Sequence, residues 1–274
     1  MPTSAETYAS LVDAYSAQMA RLSASSADRW ASRASQFRLD PRRELEANTK
    51  AALALIRPDD VVIDVGGGAG RVALPVALHC TEVINVEPSI GMREQFDASA
   101  KEAGISNARC IDGGWPSAAA GLSADVVMLA NVTYFVRDIV PFVEALNATA
   151  RRLVIIAVWS VPPPNHHTAL FELLHGEPQA RVPTHRELLP VLWDMGLLPD
   201  VRVLPDPFRH ARMRPPTRED ALRFALDSAS ATNLPNAEAT VRKRFAGLFR
   251  ETPEGFMPTW LPDTREMLIT WEAG

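Results

Sequence analysis

Cysteine is scarce in this 274-residue chain: only Cys80 and Cys110 occur. Two thiols without nearby partners supply neither a disulfide framework nor the four ligands of a structural zinc site, and no metal is expected. No apolar run approaches the roughly 20 residues that span a bilayer, so no membrane partner is expected. The first fifteen residues are polar and include Glu6 and Asp13. They lack the basic and apolar regions of a secretory signal, and with the low cysteine count this makes a cytoplasmic protein the expectation. Positive charge is also short, with 28 Lys and Arg against 33 Asp and Glu, a net charge of −5. Nucleic-acid binding leans on a basic face that displaces counterions, so a nucleic-acid partner is not expected. Proline, in contrast, is plentiful at 22 residues, well above the ~5% of average proteins. Much of it follows residue 160 and predicts irregular connections there.

What is present reads as an ordinary globular composition, 47% hydrophobic and 22% charged. Residues 1–57 carry helical spacing: Tyr8, Leu11, Val12, Tyr15 and Met19 recur on one face, and a second helix is expected over residues 42–56 behind Pro41. From Asp60 the pattern changes to short β-branched runs alternating with helices. Strands are expected at 61–65, 82–86, 107–111, 124–130, 153–159, 201–204 and 267–272, with helices over 71–79, 90–103, 140–150 and 184–196. Two further helices are expected over 217–229 and 237–249. Such alternation argues for βαβ units, a mostly parallel sheet and helices on both faces. The nearly unbroken apolar character of 61–65 and 153–159 fits strands buried on both sides.

The most informative stretch is Asp64-Val-Gly66-Gly67-Gly68-Ala-Gly70, between the first strand and its helix. Glycines there let the backbone turn tightly and approach a ligand beyond the strand's carboxyl end. The dinucleotide pattern G-x-G-x-x-G fails from Gly66, because Arg71 fills its last position. From Gly68 it matches the variant that ends in alanine, at Ala73. An acidic-x-Gly-x-Gly-x-Gly pattern is satisfied in full by Asp64, Gly66, Gly68 and Gly70. Glu87 ends the second strand ahead of Pro88, placed to accept hydrogen bonds from both hydroxyls of a ribose. Asp112 and Gly113 follow the third strand, and Asn131 follows the fourth.

On these residues the chain resembles the class I S-adenosylmethionine-dependent methyltransferases, over about residues 55 to 205 plus the closing strand. The resemblance implies S-adenosyl-L-methionine as cofactor and a Rossmann-like seven-stranded sheet whose last strand is antiparallel. It implies that Asp64, Gly66, Gly67, Gly68 and Gly70 shape the cofactor loop, with Glu87 and Pro88 at the ribose and Asp112 and Gly113 at adenine. Asn131 would lie beside the reactive methyl group. The segment around Trp30 and Arg33 looks like the pre-core segment of small-molecule members, where Arg33 would pair with the cofactor carboxylate and Trp30 would wall its pocket.

The expected organisation is an N-terminal helical cap at 1–57, a cofactor-binding core at 58–206, a helical insertion at 207–255 and the closing strand at 256–274. His166, His167 and Tyr134 are the candidates for the catalytic site, and His175, His185 and His210 are further histidines. No G-x-S-x-G elbow, H-E-x-x-H motif or P-loop lysine accompanies them. The Asp/Asn-Pro-Pro-aromatic box of amino-methylating DNA enzymes is not met at Asn131-Val-Thr-Tyr134. The partner expected is therefore a small-molecule methyl acceptor, with a homodimer possible. An NAD(P)-dependent oxidoreductase and a non-catalytic cofactor-binding module remain the alternatives.

Overall fold

The aliphatic runs form strands, and their two-sided apolarity buries them. The computed structural model describes residues 1–22, 31–205 and 214–274. Its strands are β1 (Val61–Val65), β2 (Glu82–Glu87), β3 (Ala108–Asp112), β4 (Ala124–Ala130), β5 (Ala150–Trp159), β6 (Asp200–Val203), β7 (Phe249–Thr252), β8 (Gly255–Pro258) and β9 (Glu266–Glu272). Seven of them make one sheet in the order β3-β2-β1-β4-β5-β9-β6. β1 to β5 run parallel, while β9 lies antiparallel between β5 and β6. The order reverses between β1 and β4, and a crevice opens beyond the carboxyl ends of strands at such a point.

Alternation along each strand assigns the two faces. Val62, Val126, Ile155 and Leu268 meet α3 (Ala73–Ala77) and α4 (Ile90–Glu102) through Leu74, Val76 and Phe96, with α2 (Ala47–Leu53) beside them. Ile63, Val127, Ile156 and Ile269 meet α5 (Ile139–Thr149) and α7 (His185–Asp194) through Phe142, Leu146 and Leu192. On that same face α1 (Ser4–Leu22) inserts Tyr8, Val12 and Tyr15. A third cluster joins Leu170 of α6 (Thr168–His175), Ala225 of α8 (Arg218–Ser228), Val241 and Phe245 of α9 (Ala237–Leu248) and Phe249 of β7. The chain enters α6 directly from the carboxyl end of β5, so this cluster starts on the crevice side of the sheet.

Four local features differ from the sequence expectation. The helix expected over 42–56 shortens to Ala47–Leu53, because the Arg43 guanidinium donates to the Asp40 carbonyl, the Glu46 carboxylate and the Arg71 carbonyl and keeps residues 41–46 out of the helix. β5 begins at Ala150, three residues early, pairing with Ala124. α6 follows the proline loop unannounced and ends at Gly176 in a left-handed conformation. β7 and β8 form a hairpin that pairs Phe249 with Pro258 and Thr252 with Gly255. The boundary expected between 255 and 256 falls inside that hairpin, and Phe256 packs edge-on against Phe245 of α9. Trp30 and His210 lie outside the described residues. Arg33 sits in the 3-10 turn Ala31–Phe37, but its side chain is likewise outside them. Among the described residues, no helix is long and apolar enough to cross a membrane.

Candidate functional site

The loop after β1 is built from glycines that their neighbours dictate. Gly66, Gly68 and Gly70 all have positive φ, at 66°, 57° and 84°. A Cβ on Gly70 would lie 2.7 Å from Leu74 and 2.8 Å from Phe96, so this glycine lets the loop close onto α3 and α4. A Cβ on Gly67 would fall 2.4 Å from Asp64 Oδ2 and 2.6 Å from Asn85 Oδ1. The loop therefore passes directly over two polar side chains on neighbouring strands. Asp64 and Asn85 are register partners in β1 and β2, both buried. Asn85 Nδ2 donates to the Gly68 carbonyl at 2.9 Å. Burial pushes the Asp64 carboxyl up to about 7, against the opposing pull of Arg71.

Three loop amides are already engaged. Gly66 N–H donates to Val86 O at 2.8 Å and Gly70 N–H to Gly67 O at 3.1 Å. Gly68 N–H donates to the Glu87 carboxylate at 3.0 Å, and Ser89 N–H reaches the other Glu87 oxygen at 2.8 Å. Glu87 is thus fixed at the end of β2. Arg93 of α4 binds the Glu87 and Pro88 carbonyls and forms a 2.7 Å ion pair with Asp112. That pair ties the ends of β2 and β3 together. The Asp112 side chain stays 72% exposed and can accept further bonds. Gly113 beside it has φ 146°.

Beyond β4 the chain turns at Asn131, with φ 65°. Tyr134 is buried, its hydroxyl donating to Asn131 Oδ1 at 3.2 Å and accepting the Trp159 N–H at 2.5 Å. It therefore bridges the loops after β4 and β5. Tyr8 of α1 donates to the Thr133 carbonyl at 2.6 Å and pins the same loop from the N-terminal helix.

The two histidines part company. His166 is buried, with Nε2 2.8 Å from the Val161 carbonyl. A carbonyl only accepts, so Nε2 carries a proton. His167 Nδ1 accepts the Trp260 indole N–H at 2.9 Å. Its ring packs against Phe224 and Trp260. Because indole only donates, His167 is neutral with its proton on Nε2. His175 stacks on Phe171 and contacts the Ala229 carbonyl through Nε2, and burial lowers the pKa of His185 at the start of α7. Among the described residues, no group of three or more His, Cys, Asp or Glu side chains is placed to hold a metal.

The structure brings Asp64, the glycines, Glu87, Pro88, Asp112, Gly113 and Asn131 to the carboxyl ends of β1 to β4. Tyr134, His166 and His167 gather beside them at the ends of β4 and β5. Sequence reading missed Asn85, Arg93, Trp159 and Trp260. Asn85 was legible in principle as a polar residue inside an apolar strand run, whereas the others depend on tertiary contacts.

Comparison with known proteins gives three findings. Residues 63–155 match the family described as "Methyltransferase domain". No curated protein matches the chain in sequence. Among solved structures, the chain is similar to the YcgJ protein from Bacillus subtilis at 15% identity and TM-score 0.53, covering 82% of this chain and 97% of that one. It is also similar to magnesium protoporphyrin IX methyltransferase from Synechocystis PCC 6803 with bound SAH, at 18% identity, TM-score 0.48 and coverage of 59% and 77%. A geranyl diphosphate C-methyltransferase from Streptomyces coelicolor A3(2) gives 14% identity, TM-score 0.45 and coverage of 82% and 79%. The sheet order and the glycine loop over Asp64 agree with the family match: residues 63–155 carry the pattern of a methyltransferase domain, within a Rossmann-like fold.

Proposed function

We propose that the chain transfers the methyl group of S-adenosylmethionine to a small-molecule acceptor, with Glu87 as the ribose-binding carboxylate. The observation that carries this reading is the fixing of Glu87 by the Gly68 and Ser89 amides at the mouth of the glycine loop. The same bonds weigh against a dinucleotide. A pyrophosphate is held by backbone amides of the loop and the helix it enters, and three of the loop amides, on Gly66, Gly68 and Gly70, already hold acceptors.

The cofactor, when bound, supplies an electrophilic methyl carbon on a sulfonium. The chain's own residues have the work of alignment and water exclusion. Glu87 accepts from the ribose hydroxyls, and Asp112, held by Arg93, accepts from the adenine amino group. Asn131 and Val132 border the glycine loop, where a Cβ on Gly66 would touch Val132 at 2.8 Å. Trp159 packs on His166 at the end of β5, while His167, Phe224 and Trp260 pack on one another towards α8, and these rings support a small, partly apolar acceptor. Tyr134 and His167 position their loops through the bonds described. His166, buried at the carboxyl end of β5, is the histidine we assign to take a proton from a hydroxyl or amine nucleophile.

Calorimetric titration with S-adenosylhomocysteine, with NADH as the control, tests the reading. Binding of the former alone is expected. Glu87→Ala should weaken it by at least ~1.5 kcal/mol, the scale of a lost hydrogen-bonded charged partner. Unchanged affinity in that variant would remove Glu87 from the ribose site.

A further inference from the structure

Beneath the glycine loop the hydrogens do not match the acceptors. The Asn85 amide is oriented by its bond to the Gly68 carbonyl. That leaves Asn85 Oδ1 and Asp64 Oδ2 flanking the same point below Gly67, and neither has a hydrogen-bond partner. Reversing the amide only moves the deficit, because its oxygen would then face the Gly68 carbonyl. An ionised Asp64 leaves two buried acceptors turned on one another, and buried polar atoms are nearly always paired. One added proton removes the conflict.

We propose that Asp64 is a positioning residue held in its protonated form: its hydroxyl donates to Asn85, and the Asn85 amide donates to the Gly68 carbonyl. A single proton thereby fixes the loop that faces the cofactor, so cofactor affinity falls when that proton is lost. The inference rests on the reading above for the cofactor, but not for the proton.

The surroundings favour this state. Burial is the largest influence and raises the carboxyl; Glu87 on β2 raises it further, while Arg71 on the loop and the Ala73 amide at the start of α3 lower it. From β4 the facing residue is Met128, and across the small pocket shared with Asp64 stands Asn48 of α2, bonded to the buried Glu266 of β9. Arg43 is paired with Glu46 and bound to the Arg71 carbonyl. No cation faces Asp64 closely enough to form an ion pair among the described residues.

Two measurements on the full chain decide it. First, S-adenosylhomocysteine affinity is followed by calorimetry from pH 6 to 8.5. The wild type should weaken by about tenfold, the factor for one pKa unit. Asp64→Asn, which carries permanent donor hydrogens, should lose that dependence and bind more tightly than the wild type at pH 8.5. Second, the stability of the unliganded proteins is compared. A carboxyl raised from 3.8 to about 7 in the folded state binds its proton there while the unfolded chain has released it. Wild-type stability relative to Asp64→Asn should therefore fall as pH rises from about 4 to about 7, then level off. A wild-type affinity flat with pH, or a stability difference that does not move across that window, overturns the proposal. If neither protein binds S-adenosylhomocysteine at any pH, the functional reading fails and the stability comparison alone decides the proton.

Discussion

Within the glycine loop, Gly67 is the position where an added methyl group makes the closest contact. A Cβ would lie 2.4 Å from Asp64 Oδ2 and 2.6 Å from Asn85 Oδ1, and neither side chain can swing away because both are buried in the sheet. Gly68 contrasts with it: its Cβ would meet only Met92 Sδ at 3.6 Å, leaving the left-handed backbone strain of roughly 1–2 kcal/mol. Gly67→Ala is expected to cost more than Gly68→Ala, about 2–3 kcal/mol by the scale of overpacked cores. Denaturant unfolding of the two variants checks the order; equal midpoints would mean that the strands yield at Asp64 and Asn85. In the sequence Gly67 was placed in the cofactor loop, at an unpatterned position between Gly66 and Gly68. Its role depends on the register that sets Asp64 beside Asn85, and register is not written in a linear motif. The place of Glu87 at the carboxyl end of β2 was legible because it ends a β-branched run.

Among the elements, α1 is attached to the sheet through contacts of unequal worth. Tyr8 is buried and its hydroxyl reaches the Thr133 carbonyl. Tyr8→Phe leaves that carbonyl without its donor and should cost about 1–2 kcal/mol. Asp13 and Arg137 also link α1 to the region before α5, but both are exposed, and Asp13→Asn should cost less than ~1 kcal/mol. Thermal unfolding of both variants tests the ranking. Strands were more legible than helices because a strand buried on both faces has no polar interruptions, as β1 and β5 illustrate. The helix expected over 42–56 was shortened by Arg43, whose three acceptors include the distant Arg71 carbonyl. The prolines at 162–164 concealed α6, which starts only three residues after the short turn they form.

At the scale of the molecule, the sheet and its two helical faces share strands, whereas the cluster of α6, α8, α9 and β7 has its own apolar interior. A unit with separate packing opens separately. Native-state hydrogen exchange should show amides of α8 and α9 exchanging at a lower free energy than those of β1, β4 and β5, and Phe245→Ala should widen the gap without changing the slow set. Equal exchange free energies across both groups would mean that this cluster and the sheet unfold as one. The seven-stranded sheet could be anticipated from strand spacing, but the hairpin of β7 and β8 could not, since two strands of four residues leave no periodic signal.

The place of β9 governs the order in which the sheet can be assembled. A ribosome delivers β1 to β6 first, yet in the finished sheet β6 pairs with β9. Until residues 266–272 emerge, β5 has one open edge and β6 has no strand to join. Vectorial synthesis therefore leaves the parallel half of the sheet waiting on a segment made after all its other strands, with α8 and α9 already present before the gap between β5 and β6 is filled.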